Sequence, residues 1–283
     1  MNRFKLVLAV VISALFVGCG NHREIVVEDR VVVSIAPLKP LVEGILGDDF
    51  EITVLVPQGA SPETFEPTPK QLHEVESARF VFGTGLLEFE QELLQRIARK
   101  EQIVNLSEGI ELIGGSCSHA HSGHTHGIDP HIWCSPRALL KMTSNAYNAI
   151  ISDMPDSTKY KMAYNDLYIK LADLNMEVAK MCYEGSRKNF IIYHPALTYL
   201  ARDYNLKQIA IEKEGKEPNA KHIAKVIQLA RQDSIKHILY QSEFPASSVS
   251  VICEDTGATA VEINPLEENI VDNIRHIATL ITQ

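Results

Sequence analysis

The fold of this chain is decided by residues 156–183, which read DSTKYKMAYNDLYIKLADLNMEVAKMCY. No Gly or Pro interrupts the segment, and its large apolar residues recur at alternating gaps of four and three positions. They are Tyr160, Tyr164, Leu167, Leu171, Leu174, Val178 and Met181. This spacing places them on one stripe of an α-helix, which Glu184-Gly185 then ends. A helix of about 28 residues is roughly 42 Å long, enough to run the height of a two-lobed molecule.

The same stripe also satisfies the heptad spacing of a coiled coil. A dimer that pairs this helix with its copy is therefore a second interpretation. The sequence does not separate it from a helix that packs on its own chain.

Short β-branched runs lie on both sides of the helix, and stretches that can be helical separate them. They cover residues 31–35, 51–56 and 79–82 before the helix, and 189–193, 206–211, 236–240 and 259–263 after it. This alternation predicts parallel sheets with helices on both faces. The predicted fold class is α/β, with an N-terminal lobe at 20–155, a linking helix at 156–184 and a C-terminal lobe at 185–283.

The first nineteen residues are typical of an export signal. Arg3 and Lys5 precede an apolar run that is too short for a stable membrane anchor. The run ends in Phe16-Val17-Gly18-Cys19, which resembles a bacterial lipoprotein cleavage box. We predict removal of 1–18, lipidation of Cys19, and an exported protein tethered to a membrane at the periplasmic or cell surface. Phe16 stands where Leu is usual, so a signal peptide without lipidation is the alternative.

The composition argues against nucleic acid as a partner. The chain has 36 acidic and 27 basic side chains and a net charge of −9, so its surface repels phosphate. The four cysteines after Cys19 form no Cys-x-x-Cys pair, which argues against a cysteine zinc ribbon. Buried free thiols are the simplest interpretation of these cysteines.

A His-rich loop is predicted at residues 117–127. It contains four histidines, and a fifth, His131, follows closely. The four are His119, His121, His124 and His126. Imidazole is a common ligand of zinc, and Gly and Ser between the rings let a loop fold around an ion. We expect this loop to capture excess metal near the main site, and a solvated polar loop is the alternative.

Four stretches resemble the motifs of the solute-binding proteins of zinc and manganese ABC importers, and the similarity covers nearly the whole chain. They are residues 59–69 (GASPETFEPTP), 83–88 (GTGLLE), 129–136 (DPHIWCSP) and 193–199 (YHPALTY). The DPHIW run is the most specific, while Gly-x-Gly alone is weak. The resemblance implies two Rossmann-like lobes, a rigid linking helix and a metal site in the cleft between the lobes. It also implies two partners, a membrane permease and an ATPase.

The resemblance implies four metal ligands, which are Glu63, His131, His194 and Asn264. His194 and Asn264 directly follow predicted strands, and ligands of open parallel sheets bind beyond such strand ends. Two of the four depart from the family pattern. Glu63 stands where zinc-binding members carry histidine, and Asn264 stands where an aspartate is usual.

Glu63 adds a carboxylate and Asn264 removes one. The predicted ligand set therefore has the same charge as the family's usual set of three histidines and one aspartate. Glu63 is then the carboxylate ligand, and Asn264 or a water completes the shell. The alternatives are that Glu66, Glu243 or Glu262 reaches the metal, or that the His-rich loop alone binds it.

Zn²⁺ is the expected ion, because two imidazoles and one carboxylate suit zinc, whereas manganese favours more oxygen ligands. Manganese-preferring relatives tend to carry glutamate at the position of His194. The predicted function is a high-affinity zinc receptor of an ABC importer. A manganese or iron receptor, or a metal-binding adhesin, is the alternative. A zinc hydrolase is disfavoured, because no His-Glu-x-x-His helix or nucleophile elbow is present in the sequence.

Overall fold

The structure is a computed structural model that describes residues 29–97, 99–114, 127–213, 216–244 and 246–283. Several predicted features lie outside the described residues. They are the leader with Cys19, Cys117, and the loop histidines His119, His121, His124 and His126. Within the described residues, no helix combines the length and apolar character that a membrane crossing requires.

The N-terminal lobe is a four-stranded parallel sheet in the order β2-β1-β3-β4. Its strands are β1 (Arg30–Val33), β2 (Glu51–Val54), β3 (Phe80–Gly83) and β4 (Ile103–Asn105). Its helices are α1 (Lys39–Leu46), α2 (Pro69–Ser77), α3 (Glu88–Arg96) and α4 (Pro136–Asp153). The sequence pattern did not predict β4.

The C-terminal lobe repeats this arrangement with a parallel sheet in the order β6-β5-β7-β8. Its strands are β5 (Asn189–Ile192), β6 (Lys207–Ala210), β7 (His237–Tyr240) and β8 (Thr259–Glu262). Its helices are α6 (Thr198–Asp203), α7 (Ala220–Gln232), α8 (Ala246–Thr256) and α9 (Ile270–Thr282). In each sheet the strand order reverses beside the central pair, and the loops at such a switch point open a crevice beyond the strand ends.

The linking helix α5 runs from Thr158 to Glu184, 27 residues without a break. The Ser157 side chain caps its start by accepting a hydrogen bond from the Tyr160 N–H. Near this end, the Tyr160 hydroxyl donates to Asp49 at 2.9 Å, in the N-terminal lobe. Near the other end, Glu177 pairs with Arg275 of α9 at 2.9 Å, in the C-terminal lobe. The helix is therefore fixed to both lobes.

The predicted stripe of α5 packs on the chain's own core, against α1, α4 and α9. Tyr160, Leu171, Leu174 and Val178 are buried, and the other members of the stripe are partly buried against the same core. The interpretation of this stripe as a dimer seam is therefore wrong, because its own lobes already cover it.

We expect Leu174→Ala to lower the free energy of unfolding by about 2–5 kcal/mol, because a large side chain is lost from a close-packed core. Leu174 is 1% exposed. Urea denaturation of the metal-free protein measures the change, and Lys170→Ala, at an exposed position of the same helix, is the control. Equal stability of the two variants would show that α5 is not packed as described.

Candidate metal centre

Three predicted ligands meet although they come from distant parts of the chain. Glu63 lies in the loop between β2 and α2, and His194 is the second residue after β5. His131 directly precedes the short 3₁₀ turn Ile132–Cys134, which leads into α4. The loop that carries Glu63 is fixed at both ends, because Gln71 closes a capping box with Thr68 and also donates to the Leu55 carbonyl at 2.7 Å.

One ligand atom from each of Glu63, His131 and His194 lies within 4.8 Å of the others. Such a separation is what a small ion requires when it bonds to all three at about 2 Å. The two imidazole rings are 5.1 Å apart at an angle of 67°. Both histidine side chains are buried, at 8% and 6% exposure, whereas that of Glu63 is 21% exposed. Glu63 is therefore the member of the group closest to solvent.

Asp129 fixes the ring of His131. Its Oδ1 lies 2.9 Å from Nδ1 of the ring and also accepts the His131 backbone N–H at 2.9 Å. Burial alone would raise the pKa of Asp129, but the charge and hydrogen bonds of His131 outweigh burial and hold this pKa below its usual value. An ionised Asp129 accepts the Nδ1 proton, so Nε2 of His131 is the nitrogen free for a metal.

His194 lies between two carboxylates. Its Nε2 is 3.3 Å from Glu63, and its Nδ1 is 3.1 Å from Glu212, a buried residue two positions after β6. Burial alone would lower the pKa of His194, but the hydrogen bond to Glu212 and the charges of Glu63, Glu212 and Asp129 raise this pKa above 6.5. The two carboxylates therefore favour the protonated form of the metal-free ring, in which one N–H faces each carboxylate.

The position of His194 is also fixed by its other neighbours. Gln241, the residue after β7, accepts the His194 N–H at 3.3 Å and donates to the His194 carbonyl at 3.0 Å. The Phe244 ring stacks on the imidazole, with centroids 5.1 Å apart and planes at 12°. These contacts leave the ring little freedom to turn away from Glu63.

Contacts between the lobes hold the cleft together beside the group. The indole N–H of Trp133, which is fully buried, donates to the Pro265 carbonyl at 2.9 Å. The Tyr199 hydroxyl donates to the Asp129 carbonyl at 2.7 Å, and Lys39 pairs with Glu268 at 2.8 Å. These three contacts join the N-terminal lobe to the C-terminal lobe.

The fourth predicted ligand, Asn264, is occupied elsewhere. Its side chain is exposed, its Oδ1 accepts the Leu266 N–H at 3.0 Å, and its Nδ2 donates to Glu267. It lines a cavity of about 470 Å³ whose wall includes the alternative ligands Glu243 and Glu262 but none of Glu63, His131 and His194. Asn264 as a ligand stays a prediction, and it would require the Leu266 bond to be given up.

Sequence reasoning missed Glu212, which lies in an acid-rich stretch that is typical of a surface. Orienting partners of metal-bound histidines set the tautomer and the basicity of the ring.

We expect Glu212→Ala to weaken zinc binding by about 10–100-fold, as loss of such partners typically does. Glu212→Gln keeps an acceptor for the Nδ1 proton and should lose less.

Competition titration against a zinc chelator measures both variants. Circular dichroism of the metal-free variants controls for a loss of fold. Unchanged zinc affinity in a folded Glu212→Ala protein would show that Glu212 does not orient His194.

A buried group of two imidazoles and a carboxylate, beside a cleft between two parallel-sheet lobes, is the arrangement of a two-lobed solute-binding protein. The chain belongs to the family described as "Zinc-uptake complex component A periplasmic", whose profile matches residues 31–283. The family predicted from the four motifs is confirmed. The family name describes a periplasmic component of a zinc-uptake complex.

Individual relatives show the same likeness. The high-affinity zinc uptake system protein ZnuA of Bacillus subtilis is 30% identical, over 91% of this chain and 87% of its own length. The zinc-binding lipoprotein AdcA of Streptococcus pneumoniae is 26% identical over 94% of this chain. This chain spans only 56% of the length of AdcA.

A crystal structure of ZnuA superposes with a TM-score of 0.80 at 29% identity, and the match covers 89% of this chain and 97% of that one. The fold class of two parallel-sheet lobes and a long helix is therefore confirmed. The family description also agrees with an exported location, whereas tethering by lipid is left as a prediction.

Proposed function

We propose that this protein captures a zinc ion through Glu63, His131 and His194 and delivers it to an ABC importer. The observation that carries the proposal is the convergence of these three side chains within 4.8 Å. Three protein ligands with an open fourth position are sufficient for zinc, and a water fills that position most simply, because Asn264 is hydrogen-bonded elsewhere. The names of ZnuA and AdcA, which describe zinc uptake and zinc binding, support zinc as the cargo.

Two imidazoles and one carboxylate also favour zinc over manganese, which prefers more oxygen ligands. Glu212 adds no oxygen to the ion, because it faces Nδ1 of His194, on the side of the ring away from Glu63. The alternatives Glu66, Glu243 and Glu262 are all exposed, and none belongs to a metal-sized group among the described residues.

The ion enters past Glu63, the most exposed of the three ligands. Wide opening of the lobes would break the Trp133 and Lys39 contacts and strain the helix that is fixed to both lobes. The part of the Glu63 loop between its fixed ends at Leu55 and Thr68 can move without breaking these contacts, so this segment is the gate of the site.

A permease and an ATPase of an ABC importer are the proposed partners, and they supply the energy of transport. The sequence itself has no Gly-x-x-x-x-Gly-Lys-Ser/Thr phosphate-binding loop. The leader at 1–19 would export the chain, and a lipid on Cys19 would hold it near the permease. The histidines His119, His121, His124 and His126 would bind further ions more weakly.

The test is zinc titration, in competition with a chelator, of the chain from residue 20 onward without residues 118–126. We expect one zinc ion per chain with a Kd of about 1 nM or below, as for tightly held protein zinc. Removal of the loop should lower only the number of weakly bound ions. The control is His131→Ala/His194→Ala in the same background, and a loop-deleted chain that retains no zinc would contradict the proposed site.

A further inference from the structure

The outer face of α5 carries a second apolar stripe, opposite the stripe that packs in the core. Met162, Ile169, Met176 and Tyr183 recur every seven residues along it. Their exposed fractions are 63%, 58%, 61% and 86%, so no other part of the described chain covers them. From Met162 to Tyr183 the stripe is about 30 Å long. Single exposed apolar residues are common, but a contiguous row on one helix indicates a contact surface.

Small side chains fill the gaps of this row. Asn165, Ala172 and Ala179 alternate with the large residues, so the complete outer stripe again has gaps of three and four. This is the a and d pattern of a coiled coil, with large residues at a and small residues at d. A helix with this pattern is complementary to itself when two copies run in opposite directions.

We propose that the outer stripe of α5, residues 162, 165, 169, 172, 176, 179 and 183, binds a second copy of this chain in an antiparallel, two-fold dimer. In one register three of the four large side chains each meet a small one, and Met162 lies beyond the end of the partner stripe. Met176 lies opposite Ala172 of the second copy, Ile169 opposite Ala179, and Tyr183 opposite Asn165. A two-fold axis repeats each of these contacts, so one stripe provides both halves of the interface.

Charge complementarity favours the same register. Asp166 and Lys180 flank the stripe on one side. In the antiparallel pair, Asp166 of each copy faces Lys180 of the other copy. The two copies of Asp173 meet near the axis, where they repel each other. In a parallel pair these two positions would face Lys161 and Asn175 of the second copy instead, so the Asp166–Lys180 pairs are specific to the antiparallel arrangement.

The strength of the dimer is limited by its size. One helix pair buries less than the roughly 1,200–2,000 Å² of standard interfaces, so we expect dissociation in the micromolar range. The metal centre is not part of the interface, so zinc binding and dimerisation should be independent. Failure of the proposed function would therefore leave this proposal standing.

Sedimentation equilibrium of the chain from residue 20 onward, without lipid, tests the dimer. We expect Ile169→Glu to weaken association at least ~100-fold, because the axis places the buried charge in the interface twice. Val251→Glu is the matched control, since Val251 is an exposed residue (49%) on α8, away from the stripe. A chain that is monomeric at 100 μM, about the top of the expected range, or a dimer that Ile169→Glu leaves intact, would overturn the proposal.

Charge exchange tests the direction of the pair. Asp166→Lys should weaken the dimer, and Asp166→Lys/Lys180→Asp should restore it, because the complementary pairs are formed again. Asp173→Asn should strengthen it by removing the repulsion at the axis. Asp173→Cys should give a disulfide-linked dimer, and Met162→Cys, far from the axis, should give none above the unsubstituted chain. Stronger cross-linking at position 162 than at position 173 would indicate a parallel pair, in which residue 162 meets its own copy, and would overturn the antiparallel register.

Discussion

Glu63→Ala should weaken zinc binding at least ~100-fold, more than the ~10–100-fold expected for the loss of an orienting partner such as Glu212. The reason is that Glu63 supplies the only carboxylate oxygen of the three-residue group. Without it, two neutral imidazoles are left to hold a doubly charged ion with no anionic ligand, because Asp129 and Glu212 face the far nitrogens of the rings. Competition titration of the loop-deleted chain measures the loss at the cleft alone.

Two variants make this experiment specific to Glu63. Glu66→Ala removes an exposed carboxylate three residues further along the same loop and should leave the affinity unchanged. Glu63→His puts an imidazole at the position where the family resemblance implies one, and it should retain tight binding. If Glu63→Ala stays within a factor of about three of the unchanged chain, well below the effect of losing even an orienting partner, another group is the ligand.

The histidine positions could be predicted because they depend on features that are visible in the sequence. His194 follows a short run of aromatic and β-branched residues, and a polar residue directly after such a run lies at a strand's carboxyl end. The regular stripe of α5 likewise predicted the helix within two residues at its start. That Glu63 lies near the two histidines required the family resemblance, since no local pattern brings this loop across the cleft.

Glu212 could not be found in the same way. Its neighbours Lys213 and Glu214 are charged, and a charged stretch after a strand usually faces solvent. It is 7% exposed because His194, which follows the adjacent strand β5, provides a hydrogen-bonding partner for its carboxylate. The burial of a charge thus depends on a partner that is distant in sequence.

The dimer interpretation of α5 shows a related difficulty. The heptad spacing correctly indicated that α5 has an apolar face that packs against other helices. However, α5 carries two such stripes, and the sequence does not show which of them the lobes cover. The larger aromatic and aliphatic residues of the inner stripe bury more apolar area, so the lobes pack there. The outer stripe stays exposed, and its small residues Ala172 and Ala179 let a second helix pack closely against it.

Zinc affinity should fall about tenfold for each pH unit below the raised pKa of His194, because the ion must displace a proton from Nε2. Above that pKa the ring is neutral and the affinity should level off. The stability of the metal-free protein changes with pH in the opposite direction to the zinc affinity. The ion pairs of protonated His194 stabilise the fold fully below pH 6.5, the unfolded value, and this contribution disappears as the pH rises through the higher folded pKa. The stabilisation of the protein by zinc should therefore grow with pH.

Thermal unfolding with and without zinc, between pH 5.5 and 8.5, measures this difference. Glu212→Gln offers a control within the site, because it removes one of the negative charges that raise the pKa of His194. Its zinc affinity should begin to fall at a lower pH than that of the unchanged chain, although its ring keeps an acceptor at Nδ1. A pH profile that is flat in both proteins would mean that the ion does not replace the proton between His194 and Glu63.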